Sequence, residues 1–232
     1  MIDQLFESPV LTSNLKAIAT TLSTDSDIHF YTDGSLQRDS STIDSMGIGW
    51  VVVNRDDIEF SASAVLWPSS SKAEMLTCLT TLLVVPVKVK VTIYTDSAAI
   101  IAGFDKLADL MQLSVRKREK IPNFQIWMTI AYIVDRKNLM TTLVKVKAHS
   151  GDRFNDRANK LAKAAAFTAP RLHIDYLSIL ELKLEIICDN LMMKASSRRS
   201  IKSLFDVKYF FHLLNLHRNS DLNILTEHQH IN

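Results

Sequence analysis

The chain contains the tripeptide Tyr-Thr-Asp twice, each time at the end of a short run of β-branched and aromatic residues. The first copy ends at Asp33 and the second at Asp96. Such runs predict short β-strands over 28–32 and 91–95. Ligands gather at the carboxyl ends of neighbouring parallel strands in open α/β sheets. If these two strands are neighbours, the carboxylates meet at one edge and need a cation; alternatively, each Asp caps a turn or the following helix.

The surrounding pattern predicts a mixed α/β domain. A hairpin is predicted around an Asn-Arg-Asp-Asp turn at 54–57, and a further strand over 141–148. The predicted helices cover 70–84, 97–103, 124–134 and 152–167. The resulting order, β-β-β-α-β-α-α-β-α, combines a hairpin-rich first half with crossover helices that require parallel strands.

The two ends of the chain differ from its middle, because all five glycines lie between 34 and 151. Residues 1–27 carry a loose apolar periodicity that predicts a short helix or an incompletely ordered lead-in, with nothing catalytic in it. Residues 171–232 contain no Gly or Trp and repeat apolar residues near helical spacing. We therefore expect a lead-in, one central domain over 28–168, and a helical or poorly ordered extension.

Composition excludes several classes of protein. The 27 Lys and Arg against 25 Asp and Glu give a net charge of +2, too small to name a polyanionic partner. Cys78 and Cys188 have no metal-ligand spacing and support neither a disulfide framework nor a zinc site. The longest apolar stretch, 82–91, is broken by Pro and Lys, and the amino terminus lacks the pattern of a secretory signal. We expect an intracellular protein of the cytoplasm or nucleus, without a membrane span.

A third carboxylate, Glu74, stands just inside a predicted helix. Ser71 lies three residues before it, which is the spacing of a capping box and indicates a structural role. The alternative is that Glu74 projects from the first helical turn toward Asp33 and Asp96. The three would then form an all-oxygen site of the kind that suits magnesium or manganese.

A histidine, His149, stands where the last predicted strand gives way to a Gly-containing loop and a helix. Such a residue is often a solvated turn residue. At the same edge of the sheet as the carboxylates, however, a histidine can handle protons or phosphate near neutral pH.

Four segments, in this order, resemble motifs of the ribonuclease H family, in particular of retroelement ribonuclease H domains. They are Thr-Asp-Gly-Ser at 32–35, Lys-Ala-Glu-Met-Leu at 72–76, Tyr-Thr-Asp-Ser at 94–97, and His-Ser-Gly…Asn-Asp-Arg-Ala…Lys-Leu-Ala at 149–162. The resemblance extends over residues 28 to about 168. It implies a ribonuclease H-like five-stranded mixed sheet, with three antiparallel strands and then parallel ones, flanked by helices.

The resemblance also implies a function, namely hydrolysis of the RNA strand of RNA:DNA hybrids to leave 5′-phosphate and 3′-hydroxyl ends. Asp33, Glu74 and Asp96 would be catalytic, metal-binding carboxylates, and His149 would assist proton handling or product departure. The implied cofactors are two Mg²⁺ ions, for which Mn²⁺ can substitute. The sequence indicates no protein partner and gives no signal of an oligomeric state.

The chain departs from the family pattern at the fourth metal-binding position, where Asn159 replaces an Asp. An amide oxygen can bind a divalent cation but brings no charge, so we expect weaker affinity at one metal position. A decayed domain that binds nucleic acid with little or no cleavage is therefore the alternative function. Asp156 would lend charge to this position or simply favour the positive end of its helix. A transposase or integrase is disfavoured, because those enzymes place a carboxylate on this late helix.

The resemblance places nucleic-acid contacts near the carboxylates and in a basic run. The residues concerned are Gly34, Ser35, Ser70, Ser71, Arg116, Lys117, Arg118 and Lys120. The family would place an amide residue near Ser70 or Ser71 and Gln at Ala98, so we expect weaker discrimination in favour of the hybrid. The basic run is either a solvated loop or a protrusion that grips the phosphates of the DNA strand.

Overall fold

The structure is a computed structural model that describes residues 1–37, 45–64, 68–118, 120–148, 151–168, 170–174, 187–188 and 191–192. It divides into two compact units. The first unit comprises Met1–Ser114 and Asn123–Lys183, and the second comprises Val115–Pro122 and Leu184–Asn232. The predicted carboxylates all belong to the first unit.

In the middle of the chain, the helices and strands have bounds close to those predicted from the sequence. The strands are β1 (Asp27–Gln37), β2 (Ser45–Val52), β3 (Arg55–Ala64), β4 (Lys90–Thr95), β5 (Met140–Lys145), β6 (Arg171–Leu172), β7 (Ile187–Cys188) and β8 (Leu191–Met192). The helices are α1 (Ile2–Leu5), α2 (Pro9–Thr21), α3 (Ser70–Val84), α4 (Ala98–Asp105), α5 (Leu107–Gln112), α6 (Val115–Arg118), α7 (Phe124–Lys137) and α8 (Arg153–Thr168).

Within the described residues, the central sheet has six strands in the order β5-β4-β1-β2-β3-β6. β1, β2 and β3 are antiparallel, whereas β4 and β5 are parallel to β1. The predicted mixed sheet of three antiparallel strands followed by parallel ones is confirmed. The sixth strand, β6, was not predicted; its two residues pair in parallel with the end of β3.

Helices cover both faces of the sheet because alternate strand residues carry apolar side chains on each face. On one face Phe30 and Trp50 are fully buried, and the indole N–H of Trp50 donates to the Thr80 hydroxyl of α3 at 3.0 Å. Helix α7 packs against α3 on this side. On the other face α8 lies over β1, β2 and β3, and its approach is close because Gly47 and Gly49 face it.

The amino-terminal segment is helical, which confirms the first of its two predicted alternatives. Ser8 caps α2 by accepting the Leu11 N–H at 3.5 Å, and Pro9 occupies the first turn. Leu11, Leu15 and Ile18 are buried on one face of this helix, which contacts α3. The segment therefore belongs to the core of the first unit.

Of the two alternatives predicted for residues 171–232, helical or poorly ordered, the helical one is wrong at the positions that the structure describes. Arg171–Leu172 form β6, and Ile187–Cys188 pair with Leu191–Met192 as a two-stranded antiparallel sheet. The physical reason at β6 is that the backbone of β3 offers an edge to which Arg171 and Leu172 bond in parallel register. The remaining residues of that prediction lie outside the described part of the chain.

Two short helices were not predicted, α5 and α6, and the second contains part of the basic run. In the described ranges, no helix is long and apolar enough to cross a membrane.

Candidate metal centre

The pairing register of two parallel strands brings Asp33 and Asp96 together. β1 pairs with β4 up to Tyr31 opposite Tyr94, and each aspartate follows two residues later on the same face. β4 ends just before Asp96, as predicted, but β1 continues to Gln37 because its pairing with β2 persists. Asp33 is consequently inside a strand and buried, whereas Asp96 is half-buried.

The third carboxylate reaches this edge from the first turns of α3. The cap of α3 is Ser69, whose hydroxyl accepts the Lys72 N–H at 3.2 Å. The capping-box interpretation of Ser71 with Glu74 is therefore wrong, because the helix has already begun at Ser71. Glu74 is left without a capping role and lies beside Gly34 of β1.

Gly34 sets the distance between β1 and α3. A Cβ atom at this position would lie 2.8 Å from the Cα of Glu74, closer than carbon atoms pack. The main-chain N–H of Gly34 also donates a hydrogen bond to the Glu74 carboxyl group. The absence of a side chain at Gly34 thus places the third carboxylate against the first.

The three carboxylates converge closely enough to share a ligand. One oxygen from each of Asp33, Glu74 and Asp96 lies within 4.8 Å of the other two. The Oε2 atom of Glu74 is buried and has no hydrogen-bond partner among the described residues. Burial, followed by the negative charges of Asp33 and Asp96, raises the pKa of Glu74 well above its ordinary value, and the Gly34 bond partly offsets this rise.

This arrangement fits a hard divalent cation. A buried carboxyl oxygen without a partner, beside two further carboxylates, is stabilised in its charged form by a positive ligand. All the donor atoms are oxygens, the type that Mg²⁺ and Mn²⁺ prefer over the nitrogen and sulfur donors of zinc sites. The residues present therefore fit the metal that the sequence predicted.

Asn159, the predicted fourth ligand, is on α8 and is half-buried. It follows Ala158, whose carbonyl oxygen would lie 2.7 Å from a Cβ atom at Gly49. Gly49 is the cross-strand partner of Asp33, so Ala158 packs next to the strand position that carries this carboxylate. Asp156 is in the first turn of the same helix, where the helix dipole favours a negative charge.

The residues near the carboxylates that were predicted to contact nucleic acid differ in their exposure to solvent. Ser70 and Ser71 are exposed at the start of α3, and Ala98 is exposed at the first position of α4. Ser35 is buried and its hydroxyl accepts a hydrogen bond from the Gln37 amide at 2.6 Å, which disfavours direct contact with a ligand. Gly34 is half-buried and has the packing role given above.

The remaining predicted residues are partly outside the described part of the chain. His149 lies there entirely, and of Arg116 only the backbone is described, within α6. Lys117 and Lys120 are exposed and Arg118 is half-buried. The basic run begins in a short helix, so the prediction of a loop is wrong for its first residues.

Two contacts beside the centre were not predicted. The Tyr31 hydroxyl donates to Oδ2 of Asp152 at 2.9 Å, and Lys145 Nζ donates to the main-chain oxygen of Asp96 at 2.9 Å. Burial, then the bond to Asp152, raises the pKa of Tyr31 to about 12. Asp152 lies between Gly151 and a helix, and this position predicts a helix cap. Its other partner, Tyr31, is too distant in sequence to be found from a local pattern.

Comparison with known proteins gives one family and several solved structures. The family model described as RNase H matches residues 25–167. The chain is similar to the foamy viral protease-reverse transcriptase solved in complex with dsDNA, at 20% identity and a TM-score of 0.50, covering 62% of this chain and 97% of that chain. It is also similar to the PFV RNase H domain solved in solution, at 20% identity and a TM-score of 0.48, covering 61% and 94% respectively. No curated protein sequence matches the chain.

Proposed function

Because this chain belongs to the RNase H family, we propose that it is a metal-dependent endonuclease that hydrolyses the RNA strand of RNA:DNA hybrids. The products would be 5′-phosphate and 3′-hydroxyl ends. The observation that carries this proposal is the convergence of Asp33, Glu74 and Asp96 around a buried carboxylate oxygen without a hydrogen-bond partner among the described residues.

Asp33, Glu74, Asp96 and Asn159 would hold two Mg²⁺ ions, or Mn²⁺ in their place. When bound, such ions supply an activated water and neutralise the charge that develops on the phosphate oxygens during in-line displacement. Asp33 is held within β1, and the Gly34 N–H orients the carboxyl group of Glu74. These main-chain constraints fix the ligand oxygens before the substrate arrives, which is how a site avoids reorganisation during the reaction.

Recognition of the hybrid would use the hydroxyl groups of Ser70 and Ser71, which are exposed at the start of the helix that carries Glu74. A hydroxyl can bond to the 2′-hydroxyl of an RNA strand, the group that separates RNA from DNA. The exposed lysines Lys117 and Lys120 would contact phosphates of the DNA strand. Substitution of both by Gln should then reduce the slope of log affinity against log salt concentration; an unchanged slope would leave the run as a solvated surface.

A second candidate function is favoured by Asn159. If the neutral amide binds its cation too weakly, the protein would bind hybrid without efficient cleavage. The two candidates differ in a direct assay, in which labelled hybrid is incubated with Mg²⁺ or Mn²⁺ over a range of concentrations.

The decisive comparison is between the wild type, Asn159→Asp and Asp33→Asn. For the nuclease we expect metal-dependent cleavage by the wild type, faster cleavage by Asn159→Asp, and none by Asp33→Asn. Hybrid binding by the wild type without cleavage at any metal concentration would support the second candidate. Equal cleavage of hybrid, double-stranded RNA and double-stranded DNA would show that selectivity for the hybrid is lost.

A further inference from the structure

The two Tyr-Thr-Asp segments differ in what their tyrosine hydroxyl groups contact. The hydroxyl of Tyr94 lies 3.4 Å from Nδ1 of His29, a residue of the adjacent strand β1. The hydroxyl of Tyr31 instead donates to Oδ2 of Asp152, the residue that precedes α8. Two tyrosines in equivalent strand positions thus connect to different parts of the fold.

Asp152 bonds to α8 and to β1 with its two different oxygens. Its Oδ1 accepts the main-chain N–H groups of Phe154 at 2.9 Å and Asn155 at 3.3 Å, which caps the helix. Its Oδ2 accepts the Tyr31 hydroxyl at 2.9 Å. One carboxylate therefore ties the first turn of α8 to the strand that carries Asp33, two residues after Tyr31.

The Tyr31 ring is itself held between two aromatic rings. The ring of Tyr94 stacks on one side, with centroids 4.6 Å apart and planes 17° apart. The ring of Phe154, in the first turn of α8, stacks with it at 5.6 Å and 27°. Such stacking restricts rotation of the Tyr31 ring, so the ring directs its hydroxyl group toward Asp152.

We propose that Tyr31 is a positioning residue that fixes the start of α8, and through it the metal ligand Asn159, against the strand of Asp33. The inference deepens the proposed function and rests on it. Asn159 comes seven residues after Asp152, and a helix rises 1.5 Å per residue, so the anchor is about 10 Å from the ligand along a rigid element. A neutral amide ligand, which lacks long-range charge attraction, depends more than a carboxylate on correct placement.

The test compares Tyr31→Phe with the matched control Tyr94→Phe. Both variants keep the stacked rings and lose one hydroxyl, but only the first loses the bond to α8. Mn²⁺ binding is measured by titration calorimetry on the full chain, together with hybrid cleavage and thermal unfolding. We expect Tyr31→Phe to weaken Mn²⁺ binding about tenfold, the lower end of the loss for partners that orient ligands, and Tyr94→Phe to change it less than about twofold. Equal weakening by the two variants would overturn the proposal.

A second variant, Asp152→Ser, keeps a capping hydroxyl but is too short to reach Tyr31, and it should reproduce the effect of Tyr31→Phe. A double-mutant cycle then separates positioning from general loosening of the fold. In an Asn159→Ala background, Tyr31→Phe should cause no further loss of Mn²⁺ affinity, because both changes act on the same ligand. Additive losses would contradict a route through Asn159.

The same measurements separate this proposal from the proposed function. If the wild type binds Mn²⁺ but does not cleave hybrid, the nuclease proposal fails. The Mn²⁺ affinities of Tyr31→Phe and Tyr94→Phe then still test the positioning role of Tyr31. If the wild type does not bind Mn²⁺, both proposals are overturned.

Discussion

A half-buried ionisable side chain lies at each end of α3, and the surroundings of the two side chains are opposite. At the carboxyl end, Lys137 Nζ donates to the main-chain oxygens of Leu82, Leu83 and Val85 at 3.1, 2.7 and 2.7 Å. Near the amino end, Glu74 accepts a bond from Gly34 but faces two other carboxylates, and its Oε2 has no hydrogen-bond partner among the described residues.

The difference separates a charge that serves the fold, on Lys137, from one that the proposed function assigns to metal binding, on Glu74. The ammonium group of Lys137 donates hydrogen bonds to main-chain carbonyl groups of the kind that a helix end leaves without partners inside the helix. Its position therefore stabilises the fold. Burial disfavours the charged form of both groups. Glu74, however, lies among carboxylates and has one oxygen without a partner among the described residues, so only its charged form would gain from a bound cation. We therefore expect changes at one end of α3 to affect activity and changes at the other end to affect stability.

The largest expected effect is on activity, in Glu74→Gln. This variant removes a charge that the proposed function assigns to metal binding, so we expect cleavage of hybrid to fall at least about 100-fold, which corresponds to about 2.7 kcal/mol of transition-state stabilisation. Thermal unfolding without divalent cation should be unchanged or shifted upward, because the repulsion from Asp33 and Asp96 is removed. Addition of Mn²⁺ should raise the Tm of the wild type and leave that of the variant unchanged. A large loss of stability in Glu74→Gln would assign this residue a structural role instead.

The next largest effect is expected from Gly34→Ala. This change disturbs the contact between β1 and the amino end of α3, which carries Glu74. The added methyl group would lie 2.8 Å from the Cα of Glu74, so the helix must move. We expect a loss of about 3 kcal/mol in the free energy of unfolding, measured in urea, together with loss of Mn²⁺ binding. Gly151→Ala is the control for unfolding, because a Cβ atom there meets nothing within 4 Å and adds only the strain of a positive φ. A larger loss in the control would show that the contact with α3 is not the cause.

Lys137→Met tests the other end of α3. It leaves three main-chain oxygens without their donor, so we expect a loss of about 2 kcal/mol in unfolding free energy at neutral pH. Hybrid cleavage by the folded variant should match that of the wild type. A drop in cleavage without a change in unfolding free energy would contradict a structural role for the carboxyl end of α3.

The pH dependence of Lys137 offers a sharper form of the same test. Burial lowers the pKa of Lys137 from 10.5 to about 8 in the folded protein. Between these values the unfolded chain retains a proton that the folded chain has released, so this residue makes stability rise as pH increases from about 8 to about 10. The stability of the wild type relative to Lys137→Met, measured by urea unfolding, should increase from pH 7.5 to pH 9.5. A constant difference would mean that the amine titrates alike in both states.

The smallest effect is expected at the amino end of β1, where the carboxylate of Asp27 lies beside a lysine and a histidine. Asp27 lies 3.3 Å from Lys90 Nζ and 3.3 Å from His29 Nε2, and all three side chains are substantially exposed. Asp27→Asn should therefore change the unfolding free energy by less than about 1 kcal/mol. Cleavage should be unaffected, in contrast to Asp33→Asn at the other end of the same strand; a comparable loss of cleavage would remove that contrast.

Local patterns were sufficient to predict most of the central elements. The apolar stripe after Ser69 gave the bounds of α3 without error. The repeated Tyr-Thr-Asp indicated a shared site only on the condition that the two strands are neighbours, and the structure meets that condition. The identity of the cap was less well determined, because three consecutive serines at 69–71 can each begin a helix. The convergence of Glu74 with the aspartates could be proposed from sequence, but its distance depends on how closely Gly34 lets α3 approach.

Contacts between distant segments could not be predicted in the same way. The bond between Tyr31 and Asp152 depends on how α8 crosses the sheet, and no periodicity within either segment reports that angle. The strand at Arg171–Leu172 forms because an edge of β3 is available beside it, and a two-residue strand is too short to produce a pattern of its own. The roles of His149 and of the basic run stay predictions.

The two glycines beneath α8 have a consequence for the position of Asn159, the proposed fourth ligand. Cβ atoms at Gly47 and Gly49 would lie 2.7 Å from the nitrogen of Ala166 and the oxygen of Ala158, so helix and strand meet backbone against backbone. A side chain at either position would therefore push α8 away from β2. Asn159 would move with the helix, because it lies between Ala158 and Ala162, both of which lie against Gly49. The absence of side chains at these two glycines thus keeps the proposed ligand close to Gly49, the cross-strand partner of Asp33.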